Sequence, residues 1–214
     1  NPEWAKTLRA IHDKLVKELD KATSHQLGST AVDHKSGLSP LGYAWTEAIA
    51  QMIDHAAAPP EPADDPNLRE LVAAETPVVT IFGKSWLLHV TEVLGATPTE
   101  NLDMIADSVR FVVERGRELV YDAEHFFDGY KADRDYALST LRAARDAGAG
   151  SLVLCDTNGG TLTDELLRIV AEVRGALEAD AGAREVVWGI HTHNDAELAV
   201  ANSIAAVQAG IRHV

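Results

Sequence analysis

Four short apolar runs, each closing on polar residues and each followed by a helical pattern, constrain this chain more than anything else in it. They start near residues 77, 117, 151 and 185, with spacings of 40, 34 and 34 residues. Strands that alternate with helices at this interval imply right-handed βαβ units and a parallel sheet. The strand cores VVTIF, LVLC and VVWGI are apolar without strict alternation, the pattern of a sheet covered on both faces. Polar residues collect at the strand ends instead: Lys84 and Ser85, Asp122 and Glu124, Asp156 to Asn158, His191 to Asp195. Barrels and open α/β sheets both place their chemistry there, and periodicity leaves the two undecided.

Between the strands, DPNLRELVAAE and Ser85–Leu94 read as short helices. TPTENLDMIADSVRFVVERG reads as a longer one, with a cap at Thr97 or Thr99 and a stop at Gly116. RELVYDAEHF (117–126) is the second strand signal, and DRDYALSTLRAARDAGAG is helical. TDELLRIVAEVRGALEAD is a helix with Thr163 or Asp164 as its cap, AELAVANSIAAVQAG is another, and IRHV opens a further strand. The first part of the chain differs. Trp4, Leu8, Ile11, Leu15 and Leu19 form the stripe of an amphipathic helix, and Tyr43 to His55 carries a second helical pattern. AAAPPEPADDP follows, with four prolines that cannot continue a helix. The expected organisation is a helical N-terminal segment with a Pro-rich linker over 1–62 and an α/β domain over 63–214.

Charge narrows the partners. With 19 basic and 33 acidic residues the formal charge is −14, which argues against nucleic acid as a ligand. No apolar run approaches the roughly 20 residues that span a bilayer, so no membrane partner is expected. NPEWAKTLRAIHDK lacks the pattern of a secretory signal. A single cysteine, Cys155, excludes an intrachain disulfide and suits a reducing compartment. The expectation is a soluble cytoplasmic protein.

His191-Thr192-His193 is the strongest local chemical signal. Residues two apart in an extended segment share a face, so both imidazoles can meet one divalent ion, with oxygen ligands completing the shell. Asn194 and Asp195 follow and could orient the rings. An isolated H-x-H is more often a solvated loop; at the end of an apolar strand, beside carboxylates, the metal reading outweighs it. Asp156-Thr157-Asn158-Gly159-Gly160 offers a hydroxyl, an amide and exposed N–H groups for a carboxylate or carbonyl oxygen, and reads equally as an ordinary capped turn. Asp122, Glu124, His125 and Asp128 place three carboxylates and an imidazole within seven positions, able to serve as ligand, orienting group or proton acceptor, with Phe126 and Phe127 packed beneath a loop as the plainer reading. Lys84 could meet a substrate carboxylate or a coenzyme phosphate, against the commoner reading of a surface lysine. Cys155 reads as inert core, and His12, His25, His34 and His55 show no ligand spacing. No G-x-G-x-x-G, Walker A or G-x-S-x-G motif is present, which weighs against the common nucleotide folds and the α/β-hydrolases.

TPVVTIFGKSW, VYDAEHFFDGYKAD, LVLCDTNGGTL and GIHTHNDAELAVANS, taken together, resemble the citramalate synthases, the branch related to the 2-isopropylmalate and homocitrate synthases. The resemblance covers about residues 64–214; residues 1–62 match nothing that can be placed, beyond an echo of a second-strand motif at Gly28-Ser29-Thr30. It implies a (β/α)8 TIM barrel, of which this chain would hold about strands three to six and the start of seven. It also implies an acyltransferase that condenses acetyl-CoA with pyruvate to (R)-citramalate on the route to isoleucine, using a divalent ion (Mn2+, Mg2+ or Zn2+) to polarise the α-keto acid. In that scheme His191 and His193 are the metal ligands and Glu124 contributes to catalysis. Thr157, Asp156 and Lys84 hold substrate, with Asn194 and Asp122 behind the ligands. The partners are the α-keto acid and acetyl-CoA, and the parent protein is a homo-oligomer.

The family's first strand, with its aspartate ligand and following arginine, has no counterpart here, and neither does its Gly-Asn-Ala-Asn-type loop. The absent initiating Met and the stop after Ile211–Val214 read the same way: a piece of a longer enzyme with weak or no turnover. Sister reactions (isopropylmalate or homocitrate synthesis, or a related lyase) remain as alternatives, as does a non-catalytic half-barrel that serves assembly or partner binding.

Overall fold

The computed structural model describes residues 62–214. The expected N-terminal helices and the linker boundary lie outside the described residues. Four strands form one sheet: β1 (Val78–Lys84), β2 (Glu118–Glu124), β3 (Ser151–Asp156) and β4 (Val187–Thr192). All pairs are parallel and the order in space is the order in sequence. His213 adds a parallel bridge to Gly189, so the predicted fifth strand begins where IRHV was expected to open it.

Seven helices are described: α1 (Pro66–Ala73), α2 (Leu87–Glu92), α3 (Pro98–Val113), α4 (Phe126–Ala132), α5 (Arg134–Ala147), α6 (Thr163–Glu178) and α7 (Ala199–Gln208). The reading of α3 holds in detail. Thr97 is its N-cap and forms a reciprocal box with Glu100: Thr97 Oγ1 accepts from the Glu100 N–H at 3.2 Å, and Glu100 Oε2 accepts from the Thr97 N–H at 2.7 Å. The expected cap of α6 does not. Leu162 occupies that position, while Thr163 lies inside the helix and donates its hydroxyl to Asn202 Oδ1 at 2.7 Å. The second strand ends at Glu124, two residues before the expected Phe126, and what was read as a loop is α4. Burial explains the difference. Phe126 and Phe127 are fully enclosed, and a helical turn seats both rings while the left-handed His125 breaks the strand.

Among the described residues, helices pack on one face of the sheet, where the strand composition suggested cover on both. Val79, Leu119, Tyr121, Leu152, Leu154, Trp188 and Ile190 point to the helices and form the core with Ile105, Val109 and Val112 of α3 and Leu166, Ile169 and Val173 of α6. These helix positions recur at the three- and four-residue spacing that gives a helix one apolar stripe, and each buried side chain contributes about 2 kcal/mol. The alternate residues face the other way. Val120, Val153 and Cys155 are buried there, while Val78, Phe82 and Val187 are exposed. Helices on one face, with every strand beside its sequence neighbour, make an arc of a barrel; an open doubly wound sheet would reverse its strand order.

Candidate active site

The concave face carries the polar groups. His191 near the end of β4 meets Asp122 of β2, Nδ1 to Oδ2 at 2.7 Å, although β3 lies between their strands. Two strands apart on a flat sheet is roughly 10 Å, so the curl of the arc brings this pair together. The cross-section beneath them is thin. Asp122 is level with Val153 and Val153 with Gly189, and a Cβ on Gly189 would stand 2.7 Å from Val153 Cγ2. Asp122 Oδ1 is buried with no hydrogen-bond partner among the described residues. A hollow of about 300 Å³ opens on this face, lined in part by Thr80, Val120, Asp122, Val153, His191 and His213. Lys84, Glu124 and Thr157 are not among its lining residues.

His193 returns to the same side as His191, with ring centroids 4.9 Å apart and planes inclined by 33°. Its N–H donates to the Asp156 carbonyl at 3.2 Å, which ties the end of β4 to the loop after β3. Gly159 of that loop has φ +60°, and a Cβ there would stand 2.8 Å from the Asp195 nitrogen and 2.9 Å from the His193 carbonyl carbon. Only glycine meets both demands. The Asp156 side chain turns into its own loop, 1% exposed, where it accepts from Thr161 Oγ1 at 2.8 Å and the Thr161 N–H at 3.2 Å. Asn194 Oδ1 accepts from the Ala199 N–H at 3.2 Å at the start of α7. These two side chains are therefore spent on loop geometry.

Thr157 connects the strand ends. Its Oγ1 accepts from the His125 N–H at 2.8 Å and donates to Cys155 Sγ at 3.1 Å. Lys84 and Glu124, paired in register at the ends of β1 and β2, form an ion pair. Beside them lies a cluster the sequence reading did not assemble. His89 packs edge-on against His125 at 4.4 Å, Trp86 against His89 at 4.9 Å, and Asp128 Oδ2 stands 3.4 Å from His125 Nδ1 while it accepts from Asn158 Nδ2 at 2.8 Å. Burial, then the neighbouring His125 and Lys84, hold the His89 pKa below its ordinary value.

Cys155 was read as core, and it is buried, which pushes its thiol up to about 12. It is also level with His191, and its Sγ and one ring nitrogen each of His191 and His193 all lie within 4.8 Å of one another. Neighbouring strand ends bring together residues 36 positions apart, a proximity that linear spacing cannot signal. Two imidazoles and a sulfur make a donor set that fits a divalent ion.

A crystal structure of the HMG-CoA lyase from Bacillus subtilis superposes with a TM-score of 0.55 at 20% identity, over 67% of this chain and 47% of that one, which shows the shared TIM-barrel fold. Among curated proteins, (R)-citramalate synthase from Aquifex aeolicus is 53% identical over 152 residues, and that from Geobacter sulfurreducens is 53% identical over 153. These alignments cover 71% and 72% of this chain and 28% of each relative. A 2-isopropylmalate synthase from Stenotrophomonas maltophilia is 34% identical over 149 residues, 69% of this chain and 28% of that protein. The chain thus spans little more than a quarter of the length of the curated relatives it matches. The profile of the HMGL-like family matches residues 14–214, which extends the family likeness well into the segment that the sequence reading left unmatched. On this evidence the chain belongs to the HMGL-like family.

Proposed function

We propose that the protein containing this chain is an acyltransferase that condenses acetyl-CoA with pyruvate to (R)-citramalate, in isoleucine biosynthesis. The observation that carries the proposal is the pair His191 and His193 at the C-terminal rim of a parallel barrel arc, with Asp122 bonded to the first ring. The greater identity to the (R)-citramalate synthases than to the 2-isopropylmalate synthase favours pyruvate over bulkier keto acids. Condensation of a larger 2-oxo acid is the second reading.

His191 and His193 would hold a divalent ion, Mn2+, Mg2+ or Zn2+, whose chemistry is Lewis-acid polarisation of the keto oxygen. Asp122 fixes the His191 ring, and with the Nδ1–H donated to it, Nε2 is left as the lone-pair donor. Thr157, whose Oγ1 accepts from the His125 N–H, would bond a substrate oxygen by turning its hydroxyl away from Cys155 Sγ. Glu124 is the proton acceptor in this scheme and Lys84, its partner, binds an anionic group of the substrate. Asp156 and Asn194 keep the loops in place. Small molecules are the partners, with a cytoplasmic homo-oligomer as the working state. Among the described residues no helix is long and apolar enough to cross a membrane.

The test is release of free CoA thiol from acetyl-CoA with pyruvate or with a branched 2-oxo acid, alongside calorimetric titration of Zn2+, Mn2+ and Mg2+ into wild type and His193→Ala. Histidine-dependent ion binding with pyruvate-dependent thiol release supports the proposal. Release only with the larger acid supports the second reading. Ion binding that ignores His193→Ala sinks both.

A further inference from the structure

We infer that Asn101 of α3 is a positioning residue: from beneath the rim it sets the direction in which Lys84 leaves β1, and so holds the Lys84–Glu124 pair in place. The inference rests on the reading of Glu124 as proton acceptor and deepens it. Asn101 shares the buried stripe of α3 with Ile105, Val109 and Val112, where its spacing calls for an apolar side chain. Asparagine is also a poor helix former, and an amide taken out of water costs free energy unless it is hydrogen-bonded. At 2% exposure its Nδ2 donates to the Lys84 carbonyl at 2.9 Å and to Tyr136 Oη at 2.9 Å. A carbonyl oxygen only accepts, so the Lys84 contact fixes which end of the amide faces β1.

Three helices converge on the residues that close β1. Ser85 is fully buried, donates its N–H to the Glu124 carbonyl at 3.3 Å and has its Oγ 3.3 Å from Thr140 Oγ1 of α5. Gly129 of α4 lies against it, and a Cβ there would collide with the Ser85 carbonyl. Those contacts fix Ser85, and the Asn101 side chain fixes the carbonyl of Lys84 itself. With both ends of that peptide held, rotation about the lysine's ψ is blocked. The ammonium is thereby delivered to Glu124, its partner in register on β2. Proton transfer is sensitive to such placement, since a displacement of about 1 Å can cost roughly 10²-fold in rate.

Two variants separate positioning from structure. Asn101→Leu keeps the volume and removes the donor, whereas Tyr136→Phe breaks the same buried network and leaves the Lys84 contact. The first readout is competitive amine labelling of Lys84 against Lys131, whose partners Asp128 and Glu165 lie outside this network, followed by mass spectrometry. The second is kcat and KM for pyruvate-dependent thiol release by the full-length protein that contains this chain. Asn101→Leu is expected to raise Lys84 labelling several-fold and to lower kcat by about 10²-fold, with both KM values near wild type. Tyr136→Phe should change neither readout, although both variants lower the melting temperature. Equal effects in the two variants, or unchanged Lys84 labelling in Asn101→Leu, overturn the inference and make Asn101 a structural amide. Raised labelling with an unchanged kcat supports Asn101 as the anchor of the pair and overturns the pair's part in the reaction. Should Asn101→Leu fail to fold, Asn101→Ser, whose shorter arm gives up the Lys84 carbonyl, is read by the same labelling ratio.

Discussion

Asp122 Oδ2 and His191 Nδ1 stand 2.7 Å apart although their strands, β2 and β4, do not touch. That distance ties the curvature of the sheet to the chemistry of its rim. Flatten the arc and the carboxylate no longer reaches the ring. Asp122→Asn keeps the shape but removes the charge that fixes the tautomer. Affinity for Zn2+ should fall about 10- to 100-fold, read by calorimetry, with a melting temperature close to wild type.

Glu124→Gln separates chemistry from binding. If Glu124 is the proton acceptor, pyruvate-dependent thiol release should drop by about 10²- to 10⁴-fold, while the calorimetric metal affinity stays unchanged. An equal loss of both quantities would mean that the Lys84–Glu124 pair serves the fold of the rim and not the reaction.

Gly159→Ala strains the backbone and collides with the loop that carries His193. A left-handed non-glycine residue costs about 1–2 kcal/mol, and the contacts of 2.8 and 2.9 Å add to that. Thermal unfolding should shift down by several degrees, and zinc affinity should fall with it because the His193 backbone must move. A variant as stable as wild type would show that the two loops separate easily.

Thr97→Ala removes half of the capping box of α3. The expected loss is about 1 kcal/mol, measured by chemical denaturation, with metal binding untouched because the cap lies outside the site.

Asp180 supplies a pH test. Hydrogen bonds from Arg142, then Arg145, lower its carboxyl from 3.8 to about 2. A depressed carboxylate stabilises the fold fully above its unfolded value and loses that contribution as pH falls through the folded one. Asp180→Asn should therefore lower the melting temperature at pH 7, and the difference from wild type should shrink between about pH 4 and pH 2. Arg145, 5% exposed, makes the neutral-pH loss the larger, since its guanidinium would be left with one carboxylate partner, Asp146.

Local signals carried far in this chain. Val78, Glu118, Ser151 and Val187 begin the strands within two residues of where the apolar runs place them. Thr97 was readable as a cap because the box is written in four consecutive residues. The helix after β2 was not readable: FFDGYKA has seven residues, one of them glycine, and it is helical because Phe126 and Phe127 need the core. The N-cap of α6 was misplaced because Thr163 found a better partner in Asn202 on another helix.

The sequence by itself determined the alternation of strand and helix, the rim on which the polar residues gather, and the shared face of His191 and His193, since all three follow from periodicities of 3.6 and 2 within one segment. Tertiary structure alone decided that the sheet curls, that Asp122 reaches His191 across an intervening strand, that Asp156 is taken up by Thr161, and that Cys155 stands beside the histidines. The reason is that register and curvature arise from packing between segments 30 or more residues apart, which no local pattern encodes.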